Sequence, residues 1–282
     1  MLFRSQALEV GIDPAHASFL HRFLADEDPA EAYGKQFRDY SVGTQIPMTR
    51  LLREYFRPEI VVDETPYGMR ITALRHLDDE TTHVRVTNQV FPHGIVIPMS
   101  ETMNITQWHV PVDDTHSYWY AMFTSYAEPV DHAQMREQRL ALYQLPDYRP
   151  RVGRHNRYGF DAEDQRRNTY TGMGPDINVH DQWAVESPGP IFDRTQEHLG
   201  HSDVAIRAFR ARLIASIDGR DRNRPPFLSG DLGEHALAGP AAIDTVAPRA
   251  SWEYEWRQRA EARRNASDWV GASQTVSGEA RA

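Results

Sequence analysis

Between Glu59 and Thr124 the chain carries a succession of β-branched segments whose connections are too short to hold helical crossovers. They are Glu59-Ile-Val-Val-Asp63, Gly68-Met-Arg-Ile-Thr-Ala-Leu74, His83-Val-Arg-Val-Thr-Asn-Gln-Val-Phe91, Ile105-Thr-Gln-Trp-His-Val-Pro-Val112 and Ser117-Tyr-Trp-Tyr-Ala-Met-Phe-Thr124. Polarity alternates along them, as it does in strands with one buried face. Asp113-Asp114-Thr115-His116 has the residue types of a hairpin connection. About five antiparallel strands are therefore expected, with helices placed around them. The fold class is α+β.

Helical signals flank the strands. Asp13-Pro14 is a start signal for a helix over 13–25, with an N-cap acceptor followed by proline at the first helical position. The chain from 26 to 50 reads as polar and irregular, and the stretch after Pro129 as charged and helical, then polar and loop-like from Pro150 to Gly174. A helix is expected to open near His180 and to stop at Pro188 and Pro190. Another starts at Ser202, with Asp203 behind it, and runs to Ile214 with apolar residues at helical spacing. Trp252 to Arg264 reads as a charged surface helix. Its Ser/Gly/Ala-rich continuation is expected to be disordered. These shifts divide the chain into a main domain over 1–220 and a partly helical extension over 221–282.

Composition narrows the chemistry. A net charge of −9 over 282 residues disfavours a nucleic-acid partner. No apolar run approaches a membrane span and the first residues carry no secretion signal, so a cytoplasmic protein without a membrane is expected. There is no cysteine. Disulfides, thiolate nucleophiles and cysteine-held zinc or iron–sulfur clusters within this sequence are excluded, leaving histidine, aspartate and glutamate as metal ligands.

Three clusters offer such ligands. His16 and His21 are five apart, which sets them about 140° apart on an ideal helix. One metal fits that spacing only if the helix widens or breaks between them; otherwise they are two unrelated histidines. Asp181 stands beside His180 at a helix start, where an acid serves equally as a cap. His198 and His201 are a third pair, in a polar loop. Arg70 and Arg85, in strand-like segments, would meet an anionic substrate if either points inward.

Two stretches together carry a resemblance. Gln6-Ala-Leu-Glu-Val-Gly-Ile-Asp13-Pro-Ala-His16-Ala-Ser-Phe-Leu-His21 resembles the iron-site signature of Rieske non-haem iron oxygenase α subunits. Thr171-Gly-Met-Gly-Pro-Asp-Ile-Asn178, Asp181-Gln-Trp-Ala-Val-Glu-Ser-Pro-Gly-Pro-Ile191 and Asp193-Arg-Thr-Gln-Glu-His-Leu-Gly200 resemble the branch of phthalate 4,5-dioxygenase oxygenase components and aryl O-demethylases.

The resemblance implies a helix-grip catalytic domain with mononuclear Fe(II) held by His16, His21 and Asp181. Asp176 and Glu186 are the next acids to consider. It implies that Asp13 relays an electron, that the reaction is O2-dependent hydroxylation or O-demethylation of an aromatic, carboxylated substrate, and that the full-length form is a homotrimer. Phe19, Trp108 and Phe123 are expected near the substrate. The family's [2Fe-2S] Rieske cluster needs cysteines that this sequence lacks. The expectation is a piece of a longer protein, with a separate Rieske-bearing protein as the other source of electrons, which NAD(P)H supplies through a ferredoxin or reductase. A ligand-binding module of similar fold and a zinc hydrolase using the same ligands are the competing readings.

Overall fold

A computed structural model describes residues 5–26, 46–100, 102–127, 129–219 and 239–267. The expected strands form an antiparallel meander of β1 (Glu59–Thr65), β2 (Gly68–His76), β3 (Thr81–Val90), β4 (Gly94–Pro98), β5 (Met103–Pro111) and β6 (Ser117–Ser125). The β5–β6 turn is the expected one. The Asp113 carboxylate accepts from the Thr115 and His116 main-chain N–H groups, both at 2.8 Å.

β4 is an addition to the expected set. It is short, buried and uniformly apolar at Ile95-Val96-Ile97, so it gives no alternation to detect. After a two-residue ladder of β7 (Tyr143–Gln144) and β8 (Arg149–Pro150), a further strand, β9 (Ile243–Pro248), completes the sheet. β9 lies beyond the boundary expected near residue 220 and pairs antiparallel with β3. One edge of β3 thus serves two neighbours: Thr81 to Val86 face β9, and Asn88 to Val90 face β4.

The two faces of the sheet have separate partners. Met69 and Ile71 pack with Leu8 of α1 (Gln6–Gly11), Ile12, and Ala205 and Phe209 of α7 (Val204–Ile217). Leu74, Val84, Val86 and Ile243 point the other way and bury Trp256 and Ala260 of α8 (Trp252–Asn265). Each large apolar side chain so enclosed contributes about 1.5–3 kcal/mol. The surface helix expected over 252–264 is therefore half core. The tail from 268 onward lies outside the described residues.

The helix expected over 13–25 is corrected. Only α2 (Ala17–Leu20) is regular there, and α1 precedes it in a stretch the sequence left unassigned. Asp13 does cap, its carboxylate accepting from Ala15 N at 2.8 Å and His16 N at 3.1 Å. Beyond Leu20 the backbone leaves the helix to pair with a distant loop, through Leu24 N–Asn168 O and Tyr170 N–Arg22 O. The irregular reading up to residue 50 is also corrected at its end, where α3 (Met48–Glu54) begins. α4 (His132–Leu140) follows expectation, whereas α5 (Ala162–Arg167) corrects the loop expected from Pro150 to Gly174, and α6 (Ile177–Glu186), with Asp176 as its N-cap, opens three residues before His180. The N-cap of α7 is Asp203, one residue later than expected. Among the described residues no helix is long and apolar enough to cross a membrane.

β9 brings one charged group into the sheet. Asp244 stands opposite Arg85 and accepts from Arg85 Nη1 at 2.5 Å and from His83 Nε2 at 2.8 Å. Burial works against its charge, but His83 and Arg85 outweigh burial and hold the carboxyl far below the ordinary range. Its contribution to stability is therefore complete above pH ~4 and fades as pH falls below that. Asp244→Asn is expected to cost about 3–5 kcal/mol at pH 7, because two cationic or polar partners lose their counter-charge. It is also expected to flatten the acid limb of the stability profile. Urea unfolding across pH 3–7 measures both.

Candidate metal centre

α2 and α6 meet at the front of the sheet and bring His16, His21 and Asp181 together. One ligand atom from each lies within 4.8 Å of the other two. His16 flanks α2 on its N-terminal side and His21 on its C-terminal side. At His21 the backbone leaves helical values (φ −98°, ψ 21°). The break between the histidines is at the helix ends, and it removes the awkward separation that an ideal helix imposes. Their rings meet edge to face, with centroids 5.1 Å apart.

The inner nitrogens of both rings are already engaged. His16 Nδ1 hydrogen-bonds the Asp13 main-chain carbonyl, and His21 Nδ1 lies 3.4 Å from His180 Nδ1. That directs the Nε2 atoms to Asp181 Oδ1, at 3.6 Å for His16 and 3.2 Å for His21. Asp181 Oδ1 is buried, and among the described residues no well-directed hydrogen bond reaches it. A carboxylate oxygen placed this way, facing two imidazole nitrogens, is costly unless a cation satisfies it. Metal bonds of about 2.0–2.2 Å hold neighbouring ligand atoms about 3.0–3.4 Å apart, close to the spacings found. The residues present fit a metal.

Electrostatics keep the donors in ligand form. Burial holds His16 below the ordinary imidazole value. Burial, then the neighbouring His21, pushes His180 down to about 4. Burial raises Asp181, and the surrounding imidazoles, His21 foremost, outweigh it and leave the carboxyl below the ordinary value. Asp13 moves the other way, raised by burial.

The alternative acids stand outside the cluster. Asp176 caps α6 through Oδ1, which accepts from Asn178 N at 2.9 Å, while its buried Oδ2 has no partner among the described residues. Glu186 accepts from Tyr158 Oη at 2.7 Å and from Gln182 at 3.0 Å. The His198/His201 loop forms no metal cluster among the described residues, and its Glu197 is paired with Arg210 and Arg194.

The three residues open onto a cavity of about 180 Å³ between the helices and the sheet. Side chains of one parity line it, because alternate strand residues share a face. Cross-strand pairs Ile105–Phe123 and His109–Trp119 form one wall. Phe123 is where it was expected. Trp108 faces away on the opposite side of β5, and Phe19 is exposed outside the cavity. Trp119 and His109 are the aromatic residues that the sequence reading missed, and both ring nitrogens of His109 are buried without a partner.

Arginines line the opposite wall. Arg85 points inward and Arg70 does not, lying instead near Asp63 and over the Trp256 ring. The sequence reading missed Arg75. It is 1% exposed, and it donates from Nε to Tyr55 O at 3.1 Å and from Nη2 to Pro14 O at 3.3 Å. Its Nη1 is buried with no partner. Burial, then the Arg85 charge, lowers its pKa to about 10, which still leaves it cationic at pH 7. Continuing the alternation Ile71, Ala73, Arg75 beyond Leu74 would have found it.

The LigXa C-terminal domain-like family model matches residues 3–277, nearly the whole sequence. The chain belongs to that family. The phthalate 4,5-dioxygenase oxygenase subunit of Pseudomonas putida is 31% identical over 90% of this chain and 56% of its own length. The 3-chlorobenzoate-3,4-dioxygenase oxygenase subunit of Comamonas testosteroni is 23% identical over 91% of this chain and 60% of its own. A tert-butanol monooxygenase / tert-amyl alcohol desaturase oxygenase subunit of Aquincola tertiaricarbonis is 28% identical over 54% of this chain. The chain thus spans little more than half the length of the first two relatives. The Rieske-oxygenase resemblance read from the motifs is borne out. The family implies iron-dependent catalysis.

Proposed function

We propose that this chain is the catalytic domain of an O2-dependent oxygenase acting on an aromatic carboxylate. Mononuclear Fe(II) would be held by His16, His21 and Asp181, the two-histidine, one-carboxylate set that suits non-haem iron oxygenases. The observation that carries the reading is the cavity joining this triad to a buried, half-satisfied guanidinium. Phthalate and 3-chlorobenzoate, in the names of two relatives, are aromatic carboxylates.

Iron bound there would supply reductive activation of O2. The chain's residues do the rest. Arg75 would receive the substrate carboxylate through its free N–H. Ile97, Ile105 and Phe123 would enclose the ring and exclude water beside it. Electrons would come from a [2Fe-2S] Rieske centre elsewhere in the full-length protein or in a partner, fed by NAD(P)H through a reductase. Asp13 would couple that donor to the site, since its carbonyl and carboxylate both contact His16.

Anaerobic reconstitution with Fe(II) is expected to give one iron per chain. Turnover of benzoate- and phthalate-type acids, driven by a reduced Rieske donor and O2, should yield oxygenated products. Tight zinc binding with ester hydrolysis and no O2 uptake would overturn the reading. Asp13→Asn is expected to keep its iron and its peroxide-driven turnover while losing at least about tenfold of donor-driven turnover.

A further inference from the structure

We propose that His180 is a positioning residue that fixes His21 in the one tautomer able to bind a metal through Nε2. The inference rests on the metal-centre reading and adds a member to it that touches neither metal nor substrate.

His180 is fully buried in α6. Its Nε2 lies 2.8 Å from the Gly174 carbonyl, which can only accept, so Nε2 carries the ring's hydrogen. A buried ring whose polar contacts are a carbonyl and another imidazole is neutral and has a single N–H. His180 Nδ1 is therefore a lone pair. The atom facing it is His21 Nδ1 at 3.4 Å, with the rings inclined by only 25°. Once a metal takes the His21 Nε2 lone pair, the ring's remaining proton is on Nδ1, and the His180 lone pair accepts it and holds the ring in that orientation.

The polarity of this relay originates in the backbone. Gly174 has φ +72°, a conformation that L side chains rarely adopt, and its N–H is held by Asp164 Oδ2 at 3.1 Å. The Gly-Met-Gly-Pro run of the second motif thus has a role at the metal: it aims one carbonyl at His180. A carbonyl, an imidazole and a ligand imidazole in series form an outer-shell chain of the kind that orients metal-binding histidines.

Cobalt(II) is the probe, titrated by visible absorption into the full chain. His180→Phe removes the acceptor and is expected to raise the Co(II) Kd by about 10–100-fold. His180→Gln is expected to restore near wild-type affinity, because its amide oxygen can accept from His21 while its NH2 donates to Gly174. Proton NMR of the Co(II) protein should show two exchangeable, shifted N–H signals, from His16 and His21, with the second lost in His180→Phe and regained in His180→Gln. Nitrogen-15 NMR of the Zn(II)-loaded wild-type chain reads the tautomers without any variant, and a proton on His180 Nδ1 overturns the inference. So does unchanged affinity in a folded His180→Phe, or a folded His180→Gln as weak as it. A wild-type chain that takes up no Co(II) overturns the metal centre, and this inference with it.

Discussion

Asp181→Ala is expected to lose stoichiometric iron binding while the metal-free protein keeps its fold and its stability. In the metal-free site the Asp181 carboxylate has the imidazoles of His21 and His16 at 3.2 and 3.6 Å, and their attraction is set against the cost of burying its charge. Its removal therefore changes the stability of the metal-free form little. With metal present the loss is large, because two neutral imidazoles remain and the only anionic donor is gone. The loss in affinity should exceed about 100-fold, the upper end of what an outer-shell partner alone is worth. Iron analysis after anaerobic reconstitution, paired with thermal unfolding of the metal-free form, separates the two effects. Full iron content in Asp181→Ala, or a metal-free form that unfolds well below wild type, contradicts the assignment. His16→Ala is expected to lose iron in the same way.

The second large effect is on substrate. Arg75→Met keeps much of the length of the side chain and removes a cation that forms no direct ion pair among the described residues. Arg85 is matched by Asp244, whereas Arg75 has carbonyl oxygens for two of its nitrogens and nothing for Nη1. A hydrogen bond to a charged group is worth about 1.5–3 kcal/mol, or about 10–100-fold in Kd. Binding of an aromatic acid should fall by that factor in Arg75→Met, while its uncharged amide should bind both proteins alike. Calorimetric titration of the Fe(II) protein under anaerobic conditions checks this. Equal losses for acid and amide would mean that Arg75 supports the wall and does not read the charge.

Much of this architecture was legible before any coordinates. Alternation located most of the sheet, because strands with one covered face repeat every second residue, and Asp113 marked the hairpin by its turn chemistry. The failures have particular causes. β4 is covered on both faces, so its apolar run has no period. β9 sits among alanine, glycine and proline, where composition conceals six residues of strand. At the site, His16, His21 and Asp181 could be named from motif likeness, whereas their meeting depends on the helix ending at His21, which propensity does not foretell. Trp108 was chosen for its size and stands on the wrong face. Arg75 was passed over because the strand was read to stop at Leu74, one residue short of it. His180 was in view throughout, but its importance lies in a 3.4 Å approach to a residue far away in sequence.

The shared edge of β3 ties the cavity to a strand far along the chain. Arg75 and Arg85 come from neighbouring strands in the middle of the chain, while the carboxylate that neutralises one of them arrives on β9, 159 residues beyond Arg85. Without β9, Arg85 would lose its buried counter-charge and the cavity would hold an unmatched cation. A shortened version ending before Ile243 would keep all three proposed metal ligands and still lack that charge balance. Anyone transplanting this domain must therefore carry β9 along with its first helices.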